Sequence, residues 1–206
     1  MNTDMKKLVQ EGYENAEYGA IYRIGRALDP FETKFLDLLA QHIPDGADIL
    51  DLGSGLGVPY DKYLVAQGYR VTGIDFCQKH VDFARKNVPQ ANYICGDFSQ
   101  VTFAASFDAI VSFYAIFHLP RQEHFDLFGR MYKKLKPGGV ILVTLGASDS
   151  DYGQDDWCGA TMAWSTYDSE TYKQLLARAG FTILYCAFEG QPGDEEYHFW
   201  VLAKRP

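Results

Sequence analysis

Short apolar runs alternate with helix-like segments along most of this sequence. Runs rich in Ile, Val, Phe or Tyr are typical of β-strands, and seven of them cover residues 48–52, 70–74, 92–95, 109–113, 140–145, 181–186 and 197–203. Helix-like segments cover residues 30–42, 59–67, 78–87, 121–135 and 168–179. Strands that alternate with helices usually pair in parallel, so the sequence predicts an α/β fold with a mostly parallel sheet covered by helices on both faces.

The last two apolar runs break this alternation. Only residues 187–196 separate them, and this stretch contains two glycines and a proline. Such a short connection predicts a β-hairpin, which places one antiparallel strand at the end of the sheet.

Two segments outside the strand pattern are expected to cover the sheet. Residues 1–28 include three tyrosines in a loosely amphipathic pattern, which predicts an N-terminal helical lid. Residues 146–167 predict a long loop, and long loops in compact domains are usually functional or disordered. The tryptophans of this segment favour packing over disorder.

Length and composition indicate one domain. A chain of 206 residues that is 47 % hydrophobic supplies one sizeable core, which predicts a single domain over residues 1–206. Within it we expect the helical lid in residues 1–44, a cofactor-binding core in 45–145, a substrate-cap loop in 146–167, and a C-terminal helix with the β-hairpin in 168–206.

The charge balance disfavours nucleic acid as the main partner. The 19 Lys and Arg residues and 27 Asp and Glu residues give a formal charge of −8 without any basic run, the wrong sign for binding a phosphate backbone. No apolar stretch has the length of a signal peptide or membrane span, and the four separated cysteines are typical of buried thiols in a reducing compartment. We expect a cytoplasmic protein, monomer or homodimer, that binds neither nucleic acid nor membrane.

A glycine-rich loop follows the first strand. Residues 49–57 have the sequence ILDLGSGLG, and glycines between a strand and a helix let a ligand approach backbone N–H groups near a helix N-terminus. Asp75 ends the second strand, 20 residues after Gly55, where its carboxylate can accept hydrogen bonds from both hydroxyls of a ribose. These features predict an adenosine-containing cofactor, and a dinucleotide fits them as well.

Two further acidic positions favour one kind of adenosine cofactor. Asp51 lies just before the glycines, where it would repel the pyrophosphate of NAD and attract the α-ammonium of S-adenosylmethionine. Asp97 and Phe98 follow Gly96 at the end of the third strand, where the carboxylate can accept from an adenine amino group and the ring can cover the base. The extra acid at position 51 therefore indicates a cationic ligand.

Five segments occur together in a characteristic order. They are DLGSGLG at 51–57, VTGIDF at 71–76, ICGDF at 94–98, FDAIVSFYAIFHLP at 107–120 and LKPGGVILVTLG at 135–146. These segments resemble the class I S-adenosylmethionine-dependent methyltransferases of the small-molecule type, and the C-terminal part resembles bacterial members without an assigned substrate. The resemblance implies a Rossmann-like, seven-stranded sheet of order 3-2-1-4-5-7-6 with strand 7 antiparallel. It also implies S-adenosylmethionine as cofactor and S-adenosylhomocysteine as product.

The motifs and the resemblance together give a set of residues expected to bind the cofactor. The set is Asp51, Gly53, Ser54, Gly55, Asp75, Phe76, Gly96, Asp97, Phe98, Phe113 and Tyr18. For Asp75 the alternative role is a helix N-cap, and for Asp97 it is an ordinary turn residue.

The predicted reaction is methyl transfer by in-line displacement to an O, N, S or C atom of a small-molecule acceptor. His118 and Tyr114 follow the fourth strand, at the end of the sheet where open α/β folds bind ligands. His118 is the candidate base, with pocket lining or helix capping as alternatives, and Tyr114 is a second candidate catalytic residue. We expect Tyr114 and Trp164 to line the acceptor pocket, and we predict no metal site.

Two other functions stay open. A NAD-binding oxidoreductase has the same glycine loop and ribose acid, although Asp51 and the terminal hairpin disfavour it. A non-catalytic S-adenosylmethionine-binding module has the same motifs. Methylation of a large partner such as protein or RNA is disfavoured by the acidic composition and the lack of an appended recognition domain.

Overall fold

The chain forms alternating helices and strands over the residues that the computed structural model describes, which are 2–16, 23–102, 104–194 and 197–206. The elements in chain order are α1 (Asn2–Asn15), α2 (Pro30–Ala40), β1 (Asp48–Leu52), α3 (Tyr60–Ala66), β2 (Arg70–Asp75), α4 (Gln78–Asn87), β3 (Asn92–Cys95), β4 (Phe107–Ser112), α5 (His124–Lys134), β5 (Leu135–Gly146), β6 (Ser150–Trp157), β7 (Ala160–Thr166), α6 (Ser169–Arg178), β8 (Thr182–Glu189) and β9 (His198–Lys204). The seven predicted strands and five predicted helices are confirmed, with boundaries that differ by a few residues.

Seven strands form the central sheet, in the order β3-β2-β1-β4-β5-β9-β8. Strands β1 to β5 pair in parallel, whereas β9 runs antiparallel to both β5 and β8. Because β8 and β9 are the sixth and seventh strands of this sheet, the strand order implied by the family resemblance is confirmed. The carboxyl ends of β1, β2, β3 and β4 therefore meet at one edge.

Alternating side chains of each strand divide the core into two layers. On β1, Ile49 packs with Leu64 of α3, whereas Leu50 packs on the opposite side with Phe128 of α5. Helices thus cover both faces of the sheet, as predicted. Asp51 lies on the same side of β1 as Ile49, so its side chain points toward α3.

The two N-terminal helices cover different parts of the molecule. Helix α1 packs against β7 and the short turn at residues 116–118, whereas α2 packs against β5 and β9 on one face of the sheet. Only α1 therefore lies over the strand ends. It has 14 residues, and no helix in the described parts of the chain is both long and apolar enough to span a lipid bilayer.

Residues 146–167 contain a two-stranded hairpin where the sequence predicts a loop. Strands β6 and β7 pair antiparallel around a turn at Cys158 and Gly159, whose φ angles of 52° and 78° lie in the left-handed region. Two successive residues of this kind are typical of a two-residue hairpin turn. Met162 and Ala163 of β7 belong to one buried cluster with Met5 and Val9 of α1, so a helix that is distant in the sequence covers the hairpin.

The four cysteines are free, and the prediction that all of them are buried is wrong. Cys77 is buried, Cys95 is exposed, and Cys158 and Cys186 are half-buried. Cys95 lies on β3, which is an edge strand of the sheet. An edge strand has a neighbouring strand on one side only, which leaves its side chains less covered.

Candidate active site

A cleft opens at the carboxyl ends of β1 to β4, next to α1. It contains about 560 Å³ of space, part of it open to solvent. Its lining comes from α1, the glycine loop, α4 and the segments after β2, β3 and β4: Lys6, Tyr13, Gly53, Gly55, Asp75, Phe76, His80, Asp97, Phe98, Phe113, Tyr114, Ala115, His118 and Leu119.

The glycine loop forms one wall of this cleft. Gly53 has a φ of 83°, and a Cβ there would lie 2.3 Å from the Cβ of Ala115. Gly55 has a φ of 52°, and no described atom lies within 4 Å of the point where its Cβ would be. Close packing thus requires glycine at the first position, and at the second glycine leaves the backbone accessible to a ligand.

Asp75 joins the glycine loop to the start of α4. Its Oδ2 accepts a hydrogen bond from the backbone N of Gly55 at 2.9 Å, and its Oδ1 accepts from the backbone N of Cys77 at 2.9 Å. The Nδ1 atom of His80 lies 3.5 Å from Oδ1. Each carboxylate oxygen keeps a second lone pair for a ligand hydroxyl, so the role at the helix start and the predicted ribose role are compatible.

Asp97 and Lys6 lie at the end of the cleft next to β3. Asp97 Oδ1 accepts from the backbone N of Ser99 at 2.7 Å, which is the turn arrangement, and Oδ2 lies 3.4 Å from Lys6 Nζ. Lys6 Nζ also donates to Ser99 Oγ at 2.7 Å and to Glu123 Oε2 at 2.5 Å. Phe98 lines the cleft beside them. A carboxylate, an ammonium group and an aromatic ring therefore meet where the sequence predicts an adenine.

One face of α1 covers the cleft. Lys6, Gln10 and Tyr13 are spaced so that they lie on one side of a helix, and each reaches a different strand end. Gln10 Nε2 donates to the backbone O of Phe76 at 3.1 Å, and the Tyr13 hydroxyl oxygen lies 2.9 Å from Nε2 of His118. Helix α1 thus crosses the strand ends from β3 to β4.

His118 has a defined neutral tautomer. Its Nδ1 lies 2.8 Å from the backbone O of Ala163, and because a carbonyl oxygen only accepts, Nδ1 carries the proton. Nε2 therefore has the lone pair and accepts a hydrogen bond from the hydroxyl of Tyr13. Burial lowers the pKa of His118 to about 4, so the imidazole is neutral at physiological pH.

Tyr13 is the centre of an aromatic group that the sequence did not assign to the site. Its ring meets four others edge-on, with centroid distances of 5.1 Å to His80, 5.4 Å to His118, 6.2 Å to Trp157 and 6.3 Å to Phe76. Aromatic pairs at such distances stabilise their arrangement. The phenol of Tyr13 is therefore held in a fixed place above the strand ends.

Tyr114 lines the cleft with a strained backbone. Its φ of 55° lies in the left-handed region, which costs a bulky residue about 1 to 3 kcal/mol and is common at functional sites. Its hydroxyl donates to the Glu189 carboxylate at 2.8 Å, and Trp200 Nε1 donates to the same group at 3.0 Å. Burial raises the pKa of Glu189, whereas the nearby His198 and the hydrogen bonds from Trp200 and Tyr114 lower it. A charged acceptor thus holds Tyr114 in its protonated form.

Asp51 does not line the cleft. It is 2 % exposed and faces α3. Burial, followed by the neighbouring Asp61, raises the pKa of Asp51 well above its usual value, whereas the charge of Arg23 lowers it. The Arg23 guanidinium also lies 5.8 Å from the ring centroid of Tyr60 and 5.3 Å from that of Tyr114. A cation is therefore close to both Asp51 and the cleft.

The structure brings most of the predicted site residues together, but five of them, including Asp51, are elsewhere or undescribed. The lining includes Gly53, Gly55, Asp75, Phe76, Asp97, Phe98, Phe113, Tyr114 and His118. Ser54, Gly96 and Trp164 are not among the lining residues; Ser54 packs against β2, and the Trp164 ring packs against Gly153 of the facing strand. Tyr18 lies outside the described residues.

Sequence reasoning missed five residues of the lining, which are Lys6, Tyr13, His80, Ala115 and Leu119. The spacing of Lys6 and Tyr13 on an amphipathic helix indicates a shared face, but not which strand ends that face would meet. His80 lies on α4 and is 4 % exposed. In the sequence, the signal for a place in the cleft was its position in the first turn of the helix that follows Asp75, the residue predicted to bind the ribose.

Known proteins are similar to this chain over much of its length. A family model described as a methyltransferase domain matches residues 50–143. The S-adenosyl-L-methionine-dependent Diels-Alderase iliD of Neonectria sp. (strain DH2) is 30 % identical over 200 residues, which cover 89 % of this chain and 76 % of that protein. The 24-methylenesterol C-methyltransferase 2 of Oryza sativa subsp. japonica is 32 % identical over 132 residues, which cover 61 % of this chain and 35 % of that protein.

A solved structure extends this similarity to the fold. The magnesium protoporphyrin IX methyltransferase ChlM of Synechocystis PCC 6803, determined with bound SAM, has a TM-score of 0.73 at 16 % identity, and the alignment covers 98 % of each chain. The two chains therefore share the fold.

Proposed function

Because the chain belongs to the class I S-adenosylmethionine-dependent methyltransferases, we propose that it methylates a small molecule held beside Tyr13, Tyr114 and His118. Membership of the family selects S-adenosylmethionine over the dinucleotide cofactors that the glycine loop alone leaves open. The observation that carries the proposal is the unprotonated Nε2 of His118, which lies at the cleft and accepts a hydrogen bond from Tyr13.

The cleft residues fit the adenosine part of this cofactor. The open space at Gly55 lets a ligand approach the loop backbone, and Asp75 keeps lone pairs for ribose hydroxyls. Asp97 offers an acceptor for an adenine amino group, and Phe98 offers a ring face for the base. We therefore assign these residues to the nucleoside.

Charged groups just outside the lining, near the Tyr114 end of the cleft, match the charges of an α-amino acid. The Oδ1 atom of Asp51 is buried and has no hydrogen-bond partner among the described residues, and Arg23 provides a positive charge beside Tyr114. An ammonium and a carboxylate on one ligand would be matched by these opposite charges. When bound, S-adenosylmethionine supplies a methyl group activated by a positively charged sulfur.

The Tyr13–His118 pair provides a place for the proton of the acceptor. A hydroxyl or amine becomes strongly acidic once it gains a methyl group, so a weak base is sufficient at that stage. The Tyr13 oxygen can take this proton while its own proton passes to Nε2 of His118, and the Ala163 carbonyl holds the imidazole in place. Because the pKa of His118 is low, proton transfer comes late, and positioning of the reactants supplies most of the rate.

Helix α1 and the β6-β7 hairpin exclude water from the reacting groups. Met5 and Val9 of α1 pack against Met162 and Ala163 of β7, which joins the two covers. A site shielded from water strengthens the attraction between a cation and the surrounding rings. A covered cleft also favours a small acceptor over a polymer.

Transfer of a labelled methyl group tests the proposal. Purified protein is incubated with methyl-labelled S-adenosylmethionine and a panel of amines, phenols, thiols and carbon acids. We expect label in an organic product and a slower rate for His118→Asn. The proposal would be contradicted if the protein binds S-adenosylhomocysteine but labels no acceptor, because that result fits a non-catalytic binding module.

A further inference from the structure

Asp51 and Asp61 bring two buried carboxyl groups together next to the glycine loop. Asp51 lies near the end of β1 on the side that faces α3, and Asp61 lies in the first turn of α3. They are 2 % and 0 % exposed, respectively. Each carboxyl group affects the pKa of the other, so the two lie close together. Neither the sequence motifs nor the proposed reaction assigns a role to Asp61.

This pair requires one proton. With both groups charged, the Oδ1 atoms of Asp51 and Asp61 have no hydrogen-bond partner within the described chain, whereas Asp61 Oδ2 accepts from the Tyr93 hydroxyl at 2.9 Å. Two neighbouring carboxyl groups inside a protein cannot both be ionised at low cost, because each charge raises the energy of the other. Burial raises the pKa of Asp61 to about 6 and raises that of Asp51 well above its ordinary value. A shared proton provides the missing donor.

Charged and titratable groups act on the pair from three other parts of the fold. Asp75 of β2 adds a negative charge near Asp51, and Arg23, which precedes α2, is the cation that acts on it. Tyr93 of β3 faces Asp61. Among the described residues, Asp51 is thus influenced by two other carboxyl groups and by the cation Arg23, so a second cation would be attracted to this place.

The ammonium of the methyl donor is a cation of this kind. If the nucleoside lies at Asp75 and Phe98, the amino acid part extends toward Tyr114, where Arg23 lies over the ring. We propose that Asp61 is a positioning residue that shares one proton with Asp51 in the free protein, and that this proton passes to solvent when the donor's ammonium binds. The ammonium keeps its own protons and the carboxyl pair loses one, so the net charge of the site is unchanged. This inference rests on the proposed function.

Calorimetry of the full chain measures the proton directly. Titrations at about pH 6.5 in buffers of different ionisation enthalpy give the number of protons released per ligand bound. S-adenosylhomocysteine is compared with 5′-methylthioadenosine, which has the same nucleoside but neither ammonium nor carboxylate. We expect roughly one more proton released with S-adenosylhomocysteine. Equal release with the two ligands would overturn the inference.

Asp61→Asn is the matched variant. Its amide keeps the size of the side chain, can accept from Tyr93 and can donate to Asp51 without a titrating proton. We expect S-adenosylhomocysteine to bind and the extra proton release to disappear. Asp82→Asn, at an exposed position of α4, should keep the release. Unchanged release in Asp61→Asn would also overturn the inference.

Tyr93→Phe provides a second measurement if Asp61→Asn does not fold. Loss of the phenol hydrogen bond disfavours the ionised form of Asp61, so the pH at which the extra release disappears should rise by about one unit. If the extra proton release disappeared at the same pH as in the wild-type protein, that result would contradict the shared proton. Failure of the wild-type protein to bind S-adenosylhomocysteine would instead contradict the proposed function, so the two failures are distinguishable.

Discussion

His118 and His124 have the same two kinds of hydrogen-bonding partner but lie in different regions of the molecule. Each imidazole contacts a backbone carbonyl through one nitrogen and a tyrosine hydroxyl through the other, Tyr13 for His118 and Tyr172 for His124. Burial lowers the pKa of both histidines to about 4. By chemistry alone the two pairs cannot be told apart.

Their surroundings differ. His124 is 0 % exposed, and its ring stacks on that of Tyr172 at 5.8 Å within the core between α5 and α6. His118 lines the cleft, and Tyr13 lies on α1, the helix that crosses the strand ends. The comparison teaches that access to the cleft, and not a shifted pKa, separates a candidate catalytic histidine from a structural one.

The largest expected effect is on turnover. His118→Asn removes the late proton acceptor, so methyl transfer should slow by about 100-fold, the lower end of what a general base contributes. The matched variant His124→Asn should retain wild-type turnover per folded molecule. Initial rates with labelled donor check both, and a similar loss in the two variants would break the comparison.

Affinity for the cofactor is the next effect in size. Asp75→Ala should weaken S-adenosylhomocysteine binding about 10- to 100-fold, because a hydrogen bond to a charged group contributes about 1.5 to 3 kcal/mol. Asp168 caps α6 by accepting from the backbone N of Thr171 at 2.8 Å, so Asp168→Ala is a helix-cap control that should bind normally. Isothermal titration compares the two variants. Normal binding by Asp75→Ala would show that Asp75 only caps α4 and does not bind the cofactor.

For global stability we expect the opposite ranking of the two histidine variants: His124→Asn should have the larger effect and His118→Asn the smaller. His124→Asn disrupts a buried pair in the core and should lower the free energy of unfolding by about 2 kcal/mol. His118→Asn should cost less, since its tyrosine partner is on the peripheral helix α1. Urea unfolding measures both, and a larger loss for His118→Asn would show that the cleft pair is the structural one.

Acid should destabilise the protein through both histidines. An unfolded histidine binds a proton near pH 6.5 and the folded ones near pH 4, so stability is lost as the pH falls through this window. Each histidine should account for about 1.5 kcal/mol between pH 6.5 and pH 5. The raised pKa of Asp61 acts in the opposite direction. Unfolding of His124→Asn should therefore be less pH-dependent than that of wild type, and equal slopes would contradict a neutral buried His124.

The smallest effects come from the tyrosine hydroxyls. Tyr172→Phe should reduce the unfolding free energy by about 1 kcal/mol, the usual net value of one hydrogen bond, and leave turnover unchanged. Tyr13→Phe should leave stability nearly unchanged and slow turnover. Paired melting curves and rate measurements distinguish the two variants, and equal behaviour would show that Tyr13 has no part in proton transfer.

The fold and the part of the cleft formed by the strand ends were predictable, because both depend on local patterns of the sequence. Strand periodicity, the glycine turn, and acids at the ends of β2 and β3 are local features, and parallel pairing brings them to one edge. Asp51 shows the limit of this reasoning. The sequence places it before the glycines, but the alternation of β1 turns its side chain toward Asp61 of α3.

The other half of the cleft depends on contacts between distant segments. Tyr13 meets His118 across 105 residues of sequence, and Lys6 meets Asp97 across 91. An amphipathic pattern gives the apolar face of α1 but not the surface that this face covers. The β6-β7 hairpin was missed for the same reason, although Gly159 between two β-prone runs was a usable turn signal.

Histidine NMR of the protein with and without S-adenosylhomocysteine shows directly whether the ligand binds beside His118. The imidazole resonances of His118 and His124 are assigned from the two asparagine variants, and the ligand is then titrated into labelled wild-type protein. We expect the His118 resonances to shift in proportion to occupancy while those of His124 stay in place. Saturating ligand that leaves His118 unmoved would contradict a donor site beside it.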